Sequence, residues 1–284
     1  MKADAPDAPS ARARAHSPAV AAAKARRWGA FYYAEQVLRV MKGYSWSIVM
    51  YSVGHPVAYL FAMGVGLATL VDSQGAGAFG GVDYVTFVAP ALVVSAAVMT
   101  AANEFTFPVM DGFKWRRTYY GPHASPLTPR QIAAGHIMAV TLRFLLQSAV
   151  YFAAVALFGA APGGWGWVTI LVATLAGLSF GLPLMAYAAS ITDDKGQFAL
   201  VMRFIVMPLF LFSGTFFPLD SLPLAVRWIG WISPIWHGTE LGRVFSYGYQ
   251  ELPLLTILHA AVLVGLAVLG WILTRRQFAL RMGR

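Results

Sequence analysis

The run FLLQSAVYFAAVALFGAAPGGWGWVTILVATLAGLSFGLPLMAYAASIT, residues 144–192, holds 49 residues and no Asp, Glu, Lys or Arg. A helix needs about 20 apolar residues to cross a hydrocarbon layer about 30 Å thick, so the run holds most of two membrane spans. The Ala-Ala-Pro-Gly-Gly segment from Ala160 supplies the turn between them. Spans three and four are therefore expected at about 132–158 and 165–189. Upstream, residues 43–71 are also free of charge and predict span one over 44–71, with His55-Pro56 as a kink. A Gly-rich, acid-bearing loop (72–81) separates it from span two, 84–107. Downstream, Asp193-Asp194-Lys195 forms a hinge into span five, 198–217, and span six runs over 252–274. The fold expected is an all-α integral membrane protein with six transmembrane helices.

Composition excludes other classes. The chain is 58% hydrophobic and 12% charged, where a soluble domain carries about 25% charged residues. Cysteine is absent, which excludes disulfides, thiolate metal sites and a cysteine nucleophile. A formal charge of +9 would suit nucleic acid, but the basic residues stand at the ends of apolar runs instead of forming one solvated face, so no nucleic-acid partner is expected.

The distribution of Lys and Arg sets the expected orientation. Eight precede span one (Lys2, Arg12, Arg14, Lys24, Arg26, Arg27, Arg39, Lys42). Lys114, Arg116, Arg117 and Arg130 lie between spans two and three, and Lys195 between four and five. Arg275, Arg276, Arg281 and Arg284 follow span six, whereas the other side carries only Arg227 and Arg243. Both termini are therefore expected in the cytoplasm of a bacterium, in a multi-pass plasma-membrane protein. Residues 1–18 read as a disordered tail with no cleaved signal peptide, 19–42 as a helix lying in the membrane interface, and 275–284 as a cytoplasmic tail. A soluble helix extending span one inward is the alternative for 19–42.

Two polar segments and one intramembrane charge carry the functional reading. Between spans two and three, Asp111, Lys114, Arg116 and Arg117 surround Trp115, ending at Gly121-Pro122. A short charged helix here would give a motor something rigid to push on; the plainer alternative is a basic loop touching lipid phosphates. In residues 218–251, Pro218, Pro223 and Pro234 interrupt helix, and Trp228, Trp231 and Trp236 recur beside His237 and Glu240. Open loop is not stable in hydrocarbon, so a re-entrant helical pair closing the outer exit is expected, against the alternative of an external loop held by an aromatic belt. Arg143, eleven residues into span three, lies about 16 Å deep at 1.5 Å per residue, with Gln147 one turn on. A cation there needs a partner, either the head group of a ligand or a carboxylate such as Glu240 or Glu104. Glu104 itself is read as tying helix ends together. The histidines show no metal-ligand spacing, and no metal or catalytic site is expected.

The segments FPVMDGFKWRRTYYGPHASPLTPRQIAAGH (107–136) and FSGTFFPLDSLPLAVRWIGWISPIWHGTELGRVF (212–245) together resemble the ABC-2 family of export permeases, most closely the branch of nodulation-factor (lipo-chitooligosaccharide) export permeases. The resemblance implies a six-span half-transporter with an interfacial N-terminal helix, a cytoplasmic coupling helix and two re-entrant helices before span six. It implies two copies of an ATP-binding subunit carrying ATP and Mg, and a second permease subunit forming a homodimer or a heterodimer. It also implies an amphiphilic cargo, a lipid-linked oligosaccharide or a hydrophobic drug, moving outward across the lipid bilayer. The coupling residues would be Asp111, Lys114, Trp115, Arg116 and Arg117, the pathway residues Arg143, Gln147 and Glu104, and the outer-gate residues Pro218, Trp228, Trp231, Trp236, His237 and Glu240. No G-x-x-x-x-G-K-[ST] phosphate loop occurs in the chain, so it is not itself an ATP-hydrolysing enzyme and binds no cofactor. A secondary transporter or an intramembrane enzyme are the competing classes. The first would need internal repeats and a midplane ion site, the second a catalytic motif inside a span.

Overall fold

The computed structural model describes residues 18–67, 79 and 81–283, and among them the architecture is all helical. The expected N-terminal tail, the last residues of span one and most of the 72–81 loop lie outside these residues. Helix α1 is Pro18–Lys42, kinked at Trp28, and α2 is Ser45–Phe61, continuing into a π turn at Ala62–Leu67. α3 is Tyr84–Glu104, α4 Phe107–Met110 with a π turn at Asp111–Trp115, and α5 the single turn Tyr120–His123. α6 is Pro129–Leu157, α7 Val168–Ser190, and α8 Gln197–Phe212 with a π turn at Met202–Val206. α9 is Leu224–Trp231, α10 Pro234–Tyr247 and α11 Pro253–Met282.

Local chemistry sets several of these boundaries. Thr128 and Gln131 form a reciprocal capping box at the start of α6, with Thr128 N–H donating to Gln131 Oε1 at 2.9 Å and Pro129 preset for the first turn. Asp83 accepts from Thr86 at the start of α3, and Ser233, followed by Pro234, accepts from Ile235 N–H at 3.1 Å at the start of α10.

Among the described residues, four helical stretches are long and apolar enough to cross a membrane: Tyr84–Trp115, Pro129–Leu157, Val168–Ser190 and Pro253–Met282. The first is the hub, with 89% of its most apolar window buried, and the last is peripheral, with 17% buried. α7, α10 and α6 pack around α3, α11 lies against α7, and α1 lies along α6. A soluble globule would not leave Leu254, Ile257, Val264, Val268 and Ile272 of one helix open; these side chains suit lipid.

Two boundaries differ from the sequence expectation. The helix of span five stops at Phe212 instead of running to residue 217, because Gly214 turns left-handed (φ +73°) and Ser213 is held by Ser233 at 2.6 Å. Residues 275–282 are helix instead of tail: Phe278 is fully buried, Met282 nearly so, and Arg281 donates to the Ala189 carbonyl at 2.8 Å. In α1 the buried face is Gly29, Tyr33, Ala34 and Met41, while Trp28 and Phe31 point outward. Gly135 explains the tight seat of α1 on α6, since a Cβ there would fall 2.4 Å from the Ala30 carbonyl oxygen and 2.9 Å from the Ala34 nitrogen.

Candidate functional site

The two polar segments singled out by sequence lie at opposite ends of the bundle. At the basic end, Asp111 accepts from Arg116 Nε at 2.8 and 2.9 Å and from its Nη2 at 2.7 Å. The Asp111 carbonyl also receives the N–H groups of Arg116 and Arg117, and Arg117 takes a left-handed conformation (φ +55°) to close the turn. Lys114 reaches across to Asp193 at 3.2 Å, tying this segment to the α7–α8 hinge. Trp115 and Arg116 remain exposed.

What holds this segment down is aromatic. Phe113, Tyr119 and Phe278 pack edge to face with centroids 4.8–5.1 Å apart, and the Arg281 guanidinium lies 4.3 Å over Phe113. Burial pushes the Tyr119 phenol well above its ordinary pKa, so it stays neutral, 3.1 Å from His136 Nδ1. The outcome is a platform anchored through the buried Gly112 and Phe113, with Trp115, Arg116 and Arg117 facing outward. Phe278 and Arg281, essential to it, were not read as site residues. They lie more than a hundred residues away in sequence, and their only signal was an aromatic and a cation continuing the helical spacing beyond the apolar run.

Two of the three pathway candidates pair with each other, and the third bonds elsewhere. Arg143 Nη1 is hydrogen-bonded to Glu104 in an ion pair whose side chains are 15% and 12% exposed. Glu104 is the last residue of α3, so the pair sits near the basic end and not at mid-depth in the bundle. Gln147 turns away: its amide bonds Thr100 at 2.9 and 3.0 Å, a tie between α6 and α3. A cavity of about 590 Å³ beside the ion pair is lined by Tyr44, Glu104, Asp111, Trp115, Arg116 and His136, among others.

At the opposite end, Trp228 and Trp231 are half exposed on α9, while His237 and Glu240 are buried on α10. Pro218 leads into a 3-10 turn, Leu219–Ser221. Glu240 accepts from Arg243 Nη1 at 2.8 Å; Arg243 Nη2 donates to the Gly214 carbonyl at 2.7 Å, and its guanidinium lies 3.7 Å over the Phe87 ring. One buried arginine thus fixes α10 to α3 and to the end of α8. Sequence counting had treated it only as one of two cations on this side.

His237 joins a second network. Its Nε2 lies 3.0 Å from the Trp231 carbonyl, and its Nδ1 lies 2.6 Å from His259 Nδ1; His259 Nε2 lies 2.9 Å from Glu251 Oε1. A carbonyl only accepts, so His237 carries a proton on Nε2; one proton lies between the two Nδ1 atoms and another between His259 Nε2 and Glu251. Trp236 packs on the edge of His259, with centroids 4.8 Å apart. The arrangement latches the short helices α9 and α10 to the start of α11. Two histidines 22 residues apart gave no local sequence signal.

The sequence profile of the family described as ABC-2 type transporter matches residues 34–246, which takes in both polar segments. Nodulation protein J of Rhizobium leguminosarum bv. trifolii is 27% identical over 204 residues, covering 69% of this chain and 74% of that protein. Nodulation protein J of Rhizobium meliloti (strain 1021) is 24% identical over 231 residues, covering 80% and 83%. The inner membrane transport permease YadH of Escherichia coli (strain K12) is 26% identical over 206 residues, covering 71% and 78%. With a match over three quarters of its length and with helices built to meet lipid, the chain belongs to the ABC-2 type transporter family, as a membrane subunit of an ABC transporter in a bacterial membrane.

Proposed function

We propose that this subunit is the translocating half of an ATP-driven exporter that moves an amphiphile, a lipid-linked oligosaccharide or a hydrophobic drug, out of the cytoplasm or inner leaflet. Two copies of a separate ATP-binding subunit hold ATP and Mg, and a second permease subunit, identical or related, completes the pathway. Both termini face the cytoplasm. Six spans cross the bilayer, and the 218–251 segment closes the outer exit.

The observation that carries this reading is the platform at residues 111–117. It is anchored through Phe113 and the neighbouring Tyr119, yet Trp115 and Arg116 stay exposed to a partner. A basic loop meant only for lipid phosphates has no need of a buried aromatic anchor. The Trp-rich pair α9–α10 supports an exit closure, because its exposed tryptophans suit headgroup depth while His237, Glu240 and Arg243 are paired inward.

The test is co-purification with the partner ATPase in nanodiscs. The variants Trp115→Ala and Arg116→Glu should lower ATPase binding and cargo-stimulated ATP hydrolysis by about tenfold or more, the effect of losing an interface anchor worth about 1.4 kcal/mol or more. Thermal stability should be unchanged. Undiminished stimulation in both variants would exclude the platform as the docking site.

A further inference from the structure

We propose that the groove between α1–α2 and α6 binds one anionic membrane phospholipid, with its phosphate held by Lys42 and Arg143 and an acyl chain laid along Ile48, Val49, Leu146 and Val150. The groove is a cavity of about 320 Å³ lined by those residues together with Leu38, Met41, Ser45 and Gln147. Membrane embedding is its only premise; it stands whatever the cargo and whatever the motor.

The polarity of the groove changes along its length. Lys42, the last residue of α1, and Arg143 stand at one end, and seven residues on along α6 stands Val150, about 10 Å from Arg143 at 1.5 Å per residue, with Val49 of α2 also lining the groove. That is a cationic end followed, past Ser45 and Gln147, by an aliphatic channel of Ile48, Val49, Leu146 and Val150, the same order as head group and chain in a phospholipid. Leu146, Val150 and Val49 are 61%, 40% and 45% exposed, so the channel opens sideways, where a membrane protein meets acyl chains.

The cationic end is under-used within the chain. Lys42 makes no hydrogen bond or ion pair among the described residues. Of the three guanidinium nitrogens of Arg143, only Nη1 is engaged, by Glu104; Nε is buried without a partner and Nη2 makes no bond. Two cations and one carboxylate leave one net positive charge, which a phosphodiester monoanion neutralises while supplying acceptors for the idle donors. Lys42 also precedes the uncharged run of residues 43–71, which places it at the water edge of span one, where lipid phosphates lie.

The test is native mass spectrometry of the detergent-purified chain with phosphatidylglycerol or phosphatidylcholine of matched chains, without ATPase or cargo. One phosphatidylglycerol should be retained at least fivefold better than phosphatidylcholine. Lys42→Gln should abolish that preference, about fivefold for one juxtamembrane cation. Glu104→Gln, which raises the groove charge by one, should strengthen it by a similar factor. Val49→Trp should fill the channel and weaken both lipids. Thermal melts keep loss of fold separate from loss of binding. Equal retention of the two lipids by the unaltered chain, or an unchanged preference in both Lys42→Gln and Glu104→Gln, would overturn the proposal. So would glycerol 1-phosphate competing as well as the full lipid, since the channel would then contribute nothing.

Discussion

Removing Arg143 alone should be more damaging than removing Arg143 and Glu104 together. Arg143→Gln leaves the Glu104 carboxylate only 12% exposed and without the guanidinium that it is hydrogen-bonded to. For two unit charges at a typical ion-pair separation of about 4 Å and an effective dielectric of about 20, the lost attraction is about 4 kcal/mol. Breaking a buried pair from one side costs about 3–5 kcal/mol in general, and partial exposure here favours the lower half of that range. The double variant Arg143→Gln/Glu104→Gln removes both charges and keeps hydrogen-bonding amides of similar volume, so its cost should be within about 1 kcal/mol of the parent. A double-mutant cycle with Glu104→Gln, read from denaturation midpoints in detergent, should therefore return a coupling of about 2–4 kcal/mol. A coupling below about 0.5 kcal/mol, within the error of additivity for independent sites, would refute the reasoning and make the contact incidental.

Gly135→Leu should unseat α1, because its side chain would enter the backbone of residues 30–34. The expected loss is about 1–3 kcal/mol from overpacking, seen as a lower melting point and faster proteolysis within α1. His259→Phe would keep the ring volume but strand His237 Nδ1 and Glu251; about 2–4 kcal/mol should be lost, and His237→Phe/His259→Phe should recover part of it in the same melt. Arg243→Met should cost at least about 3 kcal/mol, since Glu240 and the Gly214 carbonyl lose their donor, and hydrogen exchange should rise in α10. An equal exchange rate in α10 would show that the arginine is replaceable by packing.

Much of the fold was legible because lipid enforces a simple rule: runs without charge become helices, and punctuation by Pro, Gly and paired charges marks their ends. Thr128-Pro129 and Ser233-Pro234 are examples in which two residues define a helix start. The missed ends are informative. Nothing about Ser213 or Gly214 in isolation says that span five must stop there; the reason is Ser233, twenty residues on. Arg281 looked like one more cytoplasmic cation, yet it caps the end of α7 at the Ala189 carbonyl and covers Phe113. In the candidate site, charges exposed to a partner, such as Arg116, were visible from composition beside a span. Polar groups paired with one another across helices, such as His237 with His259, were not, because pairing distance is a property of the packed bundle.

Helix α11 gives the two ends of the molecule a common mechanical part. Phe278 sits in the aromatic knot under the charged platform, and His259, on the same unbroken helix, sits in the latch behind the tryptophans. Nineteen residues separate them, about 28 Å at 1.5 Å per residue. A continuous helix transmits axial displacement with little compression, so it behaves as a pushrod whose outer flank slides against lipid and whose inner flank bears on α7. A stroke of one ångström at the knot therefore arrives as nearly one ångström at hydrogen bonds of 2.6 and 2.9 Å, a large fraction of their tolerance.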